Sequence, residues 1–339
     1  MRKRGLPIII LLTMFSQWIY SQSQMDLLHQ AGICDDEGYC IPSLQGLPRS
    51  KGVSLNYTTI RNQNINTEYA NERYSGLVEE ISIFEFKARI PILMRNNLKI
   101  ILGGDYSTYD FGFAKQNANR NLVYETLNNT RYRSFGTTLY VLKPLKGNKY
   151  VFSRFKAHLT GDLSNEGIDD YFKSTFSILY GIRASTNMTW GVGLNYRYAL
   201  GRHLVFPTLA YSQILSKKWS LETYLPVNVT LRYMPSSKNI FELRNRLAGE
   251  NFNINSGIRR DNNIFLNKTD IYSTIVYERE VHDFVWVFLA AGRQFNIDFD
   301  SSKNTTVQGN SSLRVTNDLT NAFLFEIGIF LVPPKKWLN

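Results

Sequence analysis

Ser174–Leu200 reads STFSILYGIRASTNMTWGVGLNYRYAL. In its first half Phe176, Ile178, Tyr180, Ile182 and Ala184 fall on one side, against Ser177, Gly181, Arg183 and Ser185. In its second half Trp190, Val192, Leu194, Tyr196, Tyr198 and Leu200 oppose Gly191, Gly193, Asn195, Arg197 and Ala199. Side chains alternate faces along an extended chain, so each half is a strand with one apolar and one polar or small face. Each runs about 12 residues, beyond the usual 5–6 of globular strands and near the roughly 9–11 that cross a bilayer. Only Thr186, Asn187 and Met188 join them, as in a tight hairpin. A water-soluble sandwich would show one such hairpin too, so the decision rests on recurrence.

The pattern recurs from Lys51 onward. Glu80–Leu93 sets Phe84, Phe86, Ala88, Ile90 and Ile92 against Glu85, Lys87 and Arg89. Tyr150–Gly161 sets Val151, Phe155, Ala157 and Leu159 against Arg154, Lys156 and His158. The closing run, Ala322–Val332, puts Phe323, Phe325, Ile327, Ile329 and Leu331 opposite Glu326 and Gly328. Short connections at 95–97, 144–148, 186–188, 216–218, 235–238 and 280–283 largely alternate with polar ones at 60–78, 112–130, 162–171, 252–269 and 298–318. Tight links at Gly201-Arg202-His203 and Pro226 are the exceptions. Outer-membrane barrels segregate short and long connections in this way, whereas a sandwich has no reason to. The expected fold is an all-β, antiparallel transmembrane β-barrel of about 14 strands. Twelve is the alternative, because the pair around Pro226 is short.

In hydrocarbon every backbone group needs a partner, which a closed barrel supplies. Apolar faces then look outward and charged faces inward. Trp190, Tyr196, Tyr198, Trp219, Tyr224, Tyr233 and Trp286 fall near strand ends, where interfacial aromatic girdles belong. Residues 1–21 read as a secretory signal, with Arg2, Lys3 and Arg4 ahead of the apolar Gly5–Phe15 and a cut after Ser21. Its removal lowers the formal charge from +11 to +8. Residues 22–50 lack alternation and form a periplasmic leader or a plug at the barrel mouth. Their Cys34 and Cys40 are expected to close a small disulfide loop, as suits an exported chain. Residues 51–339 form the barrel.

The signal ending in Ser-Gln, the alternating strands and the aromatic closing strand resemble outer-membrane β-barrel families of Bacteroidota-type Gram-negative bacteria, many of the domain-of-unknown-function kind. That resemblance implies an outer-membrane location, contact with membrane lipid and lipopolysaccharide, and delivery by the barrel assembly machinery. Such barrels often end on an aromatic residue that this machinery recognises. Here Pro333–Asn339 follows the last strand, so Trp337 or Phe330-Leu331-Val332 would have to serve.

The inward faces carry the candidate chemistry. Lys87, Arg89, Arg154, Lys156, His158, Arg183, Arg197, Arg232, Arg244 and Arg246 are expected to line the lumen and meet solute. Lys99, Arg279, Glu85, Asp105, Glu242 and Glu326 join them, leaving a basic excess. A low-dielectric passage of that sign concentrates anions. The other reading is that these charges pair with each other and fill the interior. For catalysis, His158 is the one histidine deep in an expected strand, with Ser153 and Ser174 nearest in sequence. No Gly-x-Ser-x-Gly and no metal-spaced histidine pair occurs, so no catalytic residue, metal or cofactor is assigned. Nucleic acid is disfavoured because the basic residues are dispersed and the chain is exported. The expected function is a small channel or structural barrel for small anionic or polar solutes. The alternatives are a barrel lipid hydrolase and a secreted, glycan-binding β-sandwich.

Overall fold

The computed structural model describes residues 33–34, 40–41, 44, 51–69, 72–114, 124, 127–128, 130–164, 171–199, 202–254, 264–302 and 314–332. Among the described residues, fourteen strands build one closed antiparallel wall. They are β1 (Val53–Tyr69), β2 (Glu72–Arg95), β3 (Leu98–Phe113), β4 (Tyr132–Pro144), β5 (Lys149–Gly161), β6 (Phe172–Ser185) and β7 (Met188–Ala199). The circuit continues with β8 (Arg202–Ile214), β9 (Trp219–Leu225), β10 (Asn228–Ser236), β11 (Asn239–Ile254), β12 (Ile264–His282), β13 (Val285–Asp298) and β14 (Ala322–Leu331). Each strand pairs with the next, and β14 returns to β1 from Phe323↔Arg61 to Leu331↔Val53. Closure excludes the sandwich and leaves no open sheet edge along most of the wall. Fourteen, and not twelve, is the count, because β9 and β10 are short but fully laddered to their neighbours.

The two faces differ as hydrocarbon requires. Phe176, Ile178, Tyr180, Val192 and Leu194 are exposed on the outside, while Ser177, Arg183 and Asn195 are buried inside. The same belt runs through Phe84–Met94 on β2 and Phe323–Leu331 on β14. On β2 it spans 84–94, so a strand tilted by the usual 35–45° gives a band of about 25 Å. Above Phe84 the outer face turns polar: Tyr57 bonds Ser82 at 3.0 Å, and Thr59 donates to Glu80 at 3.0 Å. Glycines on inward positions admit neighbouring bulk. A Cβ at Gly181 would sit 2.1 Å from the Tyr150 ring, so that ring lies across the glycine.

Several boundaries differ from the sequence expectation. Residues 60–78 are not a loop: β1 runs on to Tyr69 and β2 begins at Glu72. The polar appearance has its cause at Asn62, whose φ is 59° and which has no ladder partner on β2, so that the inward phase of β1 moves by one residue. Arg61 and Asn62 are consecutively exposed there, and inward alternation resumes at Gln63, Ile65 and Thr67. This tall hairpin is flanked by Arg314–Leu319, which pairs with β1 from Ile65 to Glu68. Likewise 264–270 belongs to β12. Tyr224 and Trp286 face inward and are buried, so they are not part of an outer girdle. Trp219, Tyr233, Phe241 and Tyr277 do form an outer aromatic row, with ring centroids 4.7, 6.4 and 4.9 Å apart in turn. Ahead of the wall, a short ladder sets Cys34 opposite Cys40. Residues 1–21 and Trp337 lie outside the described residues.

Candidate functional site: the barrel lumen

The lumen has three storeys. Its upper end, at the level of the β3–β4 and β13–β14 loops, is packed with apolar side chains. Tyr109, Phe111 and Phe113 end β3, Tyr132 opens β4, and Phe252 lies near the end of β11. Tyr124 and Phe299 come from the loops between strands. Tyr109 and Phe252 meet at 4.9 Å, Tyr132 and Phe252 at 5.4 Å, and Phe113 stacks on Tyr124 at 5.0 Å. Such aromatic contacts add to the burial of large apolar area, so this layer is a plug across the mouth. Tyr124 also bonds the Thr67 hydroxyl, and burial raises its phenol pKa above the ordinary value. Alternation along β3 made these residues legible as one face, but not that the apolar face would point inward there.

Below the plug lies a cavity of about 190 Å³. Its wall carries Lys87, Arg89, Arg154, Lys156, His158, Lys173, Arg197, Arg246 and Lys268 against Glu85, Asp105, Glu250 and Asp270. Seven of the ten expected lumen residues therefore converge on one space: Lys87, Arg89, Arg154, Lys156, His158, Arg197 and Arg246. Alternation on β5 puts Arg154, Lys156 and His158 in one vertical row. Lys156 pairs with Asp105 of β3 at 2.8 Å. Gly136 stands behind this pair, where an added Cβ would come within 3.0 Å of the Asp105 carboxylate and of the Lys156 side chain. Tyr140 sits between two guanidinium groups, Arg89 at 5.9 Å and Arg154 at 6.0 Å from the ring centre. The Arg154 Nε and the His158 Nδ1 are buried without hydrogen-bond partners. Unpaired buried polar atoms cost about 1–3 kcal/mol each, which a bound polar group could relieve. On the cavity roof Asp270 accepts from Lys268, from Gln294 at 2.6 Å and from Asn296 at 2.8 Å.

The lowest storey holds a chain of ion pairs. Lys51, just ahead of β1, reaches Glu278 of β12 at 2.7 Å and lies 4.3 Å from the centre of the Phe330 ring. Glu278 also lies 3.8 Å from Arg244, which pairs with Glu242. Glu242 accepts from Arg232 at 2.7 Å, and Arg232 donates to Glu222 at 2.9 Å. Arg232 and Arg244, expected to meet solute, are engaged in this chain and do not line the cavity. Arg183 is buried at the foot of β6, where its Nε donates to the Ser185 carbonyl at 3.4 Å. Two apolar clusters flank this level, one around Tyr150, Phe152 and Leu179, the other around Trp286, Phe288 and Phe330.

Arg279 does not face the lumen: Glu278 is the buried inward residue and Arg279 is exposed. Lys173, Glu222, Glu250, Lys268, Asp270 and Glu278 were missed from the inward set. Lys173 is in phase with Ser177 and Arg183, and Asp270 with Tyr272 and Thr274, so extending each strand's alternation by one turn of the pleat finds them. Of the serines near His158 in sequence, Ser153 lies on the outward face of β5 with Phe155, away from the His158 side.

Several solved barrels align with the chain. The TodX deltaS2S3 mutant monoaromatic hydrocarbon channel shares 7% identity over 85% of this chain and 91% of its own, with a TM-score of 0.35. An outer membrane channel from Pseudomonas putida F1 shares 9% over 86% and 100%, with a TM-score of 0.37. The translocator domain of autotransporter NalP from Neisseria meningitidis shares 10% over 84% and 89%, with a TM-score of 0.30. No curated protein matches. The model of the domain of unknown function DUF6268 matches residues 53–331, the whole wall from β1 to β14, and the chain belongs to that family.

Proposed function

We propose that this protein is an outer-membrane barrel that takes up small anionic solutes into its lumen and passes them across the membrane without chemical change. The observation that carries this reading is the cavity wall, on which eight Lys and Arg face four Asp and Glu within a closed apolar-coated barrel. In such an enclosure the wall field concentrates counter-ions, and the surplus is positive. The unpartnered Arg154 Nε and His158 Nδ1 offer an entering anion hydrogen bonds that the protein does not satisfy. The plug above and the ion pairs below make this a gated or narrow conduit and not a wide pore. Export through a signal at 1–21, delivery by the barrel assembly machinery and contact with lipopolysaccharide belong to the same reading. Protein purified in detergent and placed in a planar bilayer under a salt gradient tests it. The expected result is small steps whose reversal potential lies on the anion side, growing larger with F252A. Cation selectivity, or silence of both proteins, would overturn the reading.

A further inference from the structure

The wall is interrupted on one side. β9 and β10 have 7 and 9 residues, and their hairpin ends at Leu225 and Asn228. β8 meets β9 only from Leu209 to Ile214, so Leu204–Thr208 are laddered to β7 alone. On the far side the last rung is the Leu247 amide to the Val227 carbonyl at 2.8 Å. Above it β11 stays laddered to β12 as far as Ile254 but has no partner on the β10 side, and its end meets β5. Asn253 pairs with Gly161 of β5, and the Asp162 amide donates to the Asn253 carbonyl at 3.1 Å.

This breach lies within the apolar belt. Val205 is 66% exposed on the β8 edge itself, and Leu194, Phe176 and Leu225 are exposed beside it. Backbone groups left unpaired at hydrocarbon depth are tolerated only where they are buried in protein or line a water-filled cavity. Pro207, on the same edge, has no amide to satisfy and so lowers that cost. The cavity reaches the breach from within, because Arg197 on β7, Tyr224 on β9, Leu247 on β11 and Val227 are part of its wall. Arg197 reaches the Gly249 carbonyl at 3.4 Å, which holds its guanidinium behind the opening. The aromatic plug meanwhile fills the axial mouth.

We infer that the breach between β8 and β11 is a side entrance from the lipid layer to the lumen cavity, taking amphiphilic anions whose apolar body lies along Val205 and Leu225 and whose acidic head meets Arg197. This rests on the membrane-spanning, solute-binding reading above. Decanoate is a probe of the required chemistry, and acetate is its matched control without a tail. The test uses T208C in a chain also carrying Cys34→Ser and Cys40→Ser, reconstituted in phosphatidylcholine vesicles. Thr208 is buried at the foot of the unpaired β8 edge. N-dodecylmaleimide, delivered through the bilayer, should label the new cysteine, and near-saturating decanoate should slow labelling about tenfold while acetate does not. In R197Q the protective decanoate concentration should rise about tenfold, the effect of losing one charge-assisted contact. Inserting two residues on each side of Pro226, to lengthen β9 and β10, should abolish labelling in protein that still shows heat-modifiable migration on gels. Labelling that decanoate slows no more than acetate does overturns the side entrance, as does unchanged protection in R197Q. If anion-selective steps persist while protection is absent, the channel stands and the entrance alone falls.

Discussion

The two ends of the lumen are built from opposite materials. The mouth is closed by Tyr109, Phe111, Tyr132, Phe252 and Phe299, whose mutual contacts need no partner beyond shape. The foot is closed by Lys51, Glu278, Arg244, Glu242, Arg232 and Glu222, each of which depends on a charged neighbour. Apolar packing is non-directional and loses energy gradually as atoms are removed. A buried ion chain fails abruptly, because deleting one member leaves its partner charged and desolvated. The contrast teaches where opening can occur: the plug can loosen piecemeal, whereas the foot holds the wall together.

The comparison is broken most severely at the foot. E242A removes the shared partner of Arg232 and Arg244 and should cost about 3–5 kcal/mol, read as a fall in the urea midpoint in detergent micelles. If the loss is under 1 kcal/mol, the ion chain is not a structural unit. At the mouth, F252A deletes a fully buried ring and should cost about 3 kcal/mol while enlarging conductance, a combination the foot variant should not show. On the lipid face, Ile275 is 66% exposed at the belt. I275R there should cost about 2–4 kcal/mol in vesicle refolding, and no cost would mean that this face meets water.

Alkaline pH separates the ends more gently. Burial holds the Tyr124 pKa above its ordinary 10.0, so the neutral phenol is favoured in the folded mouth. Its stabilisation is complete below pH 10 and declines as pH rises through the raised value. Y124F should therefore weaken the alkaline part of the unfolding curve's pH dependence and leave the neutral part nearly unchanged. Smallest is R61A, which removes an exposed pair with Glu80 at 3.6 Å and should change stability by less than about 1 kcal/mol.

The sequence made the wall legible because hydrocarbon enforces a strict period of two on strands such as β6, β7 and β14. It failed where that period is interrupted or where charge was allowed to outrank phase. Asn62 takes a left-handed conformation and shifts the alternation by one residue, which made a continuous strand look like a polar loop. Arg279 looked inward by chemistry, yet Ile275 and Tyr277 fix its face outward, near the strand end where a long side chain reaches the interface. The cavity was half legible. Arg154, Lys156 and His158 share a face by spacing alone, but the approach of β11 to β5, which roofs them, is a tertiary contact with no local signature. The same is true of the plug, whose aromatics come from β3, β4, β11 and intervening loops.

The central claim is that one face of each strand meets hydrocarbon and the other an enclosed interior. Nitroxide labels placed singly from Thr175 to Ile182 test it, by comparing collision with oxygen, which concentrates in lipid, and with a polar nickel chelate. The account predicts that oxygen collision peaks at 176, 178, 180 and 182 and falls at 177, 179 and 181. A flat profile, or peaks on the odd-numbered positions, would contradict it.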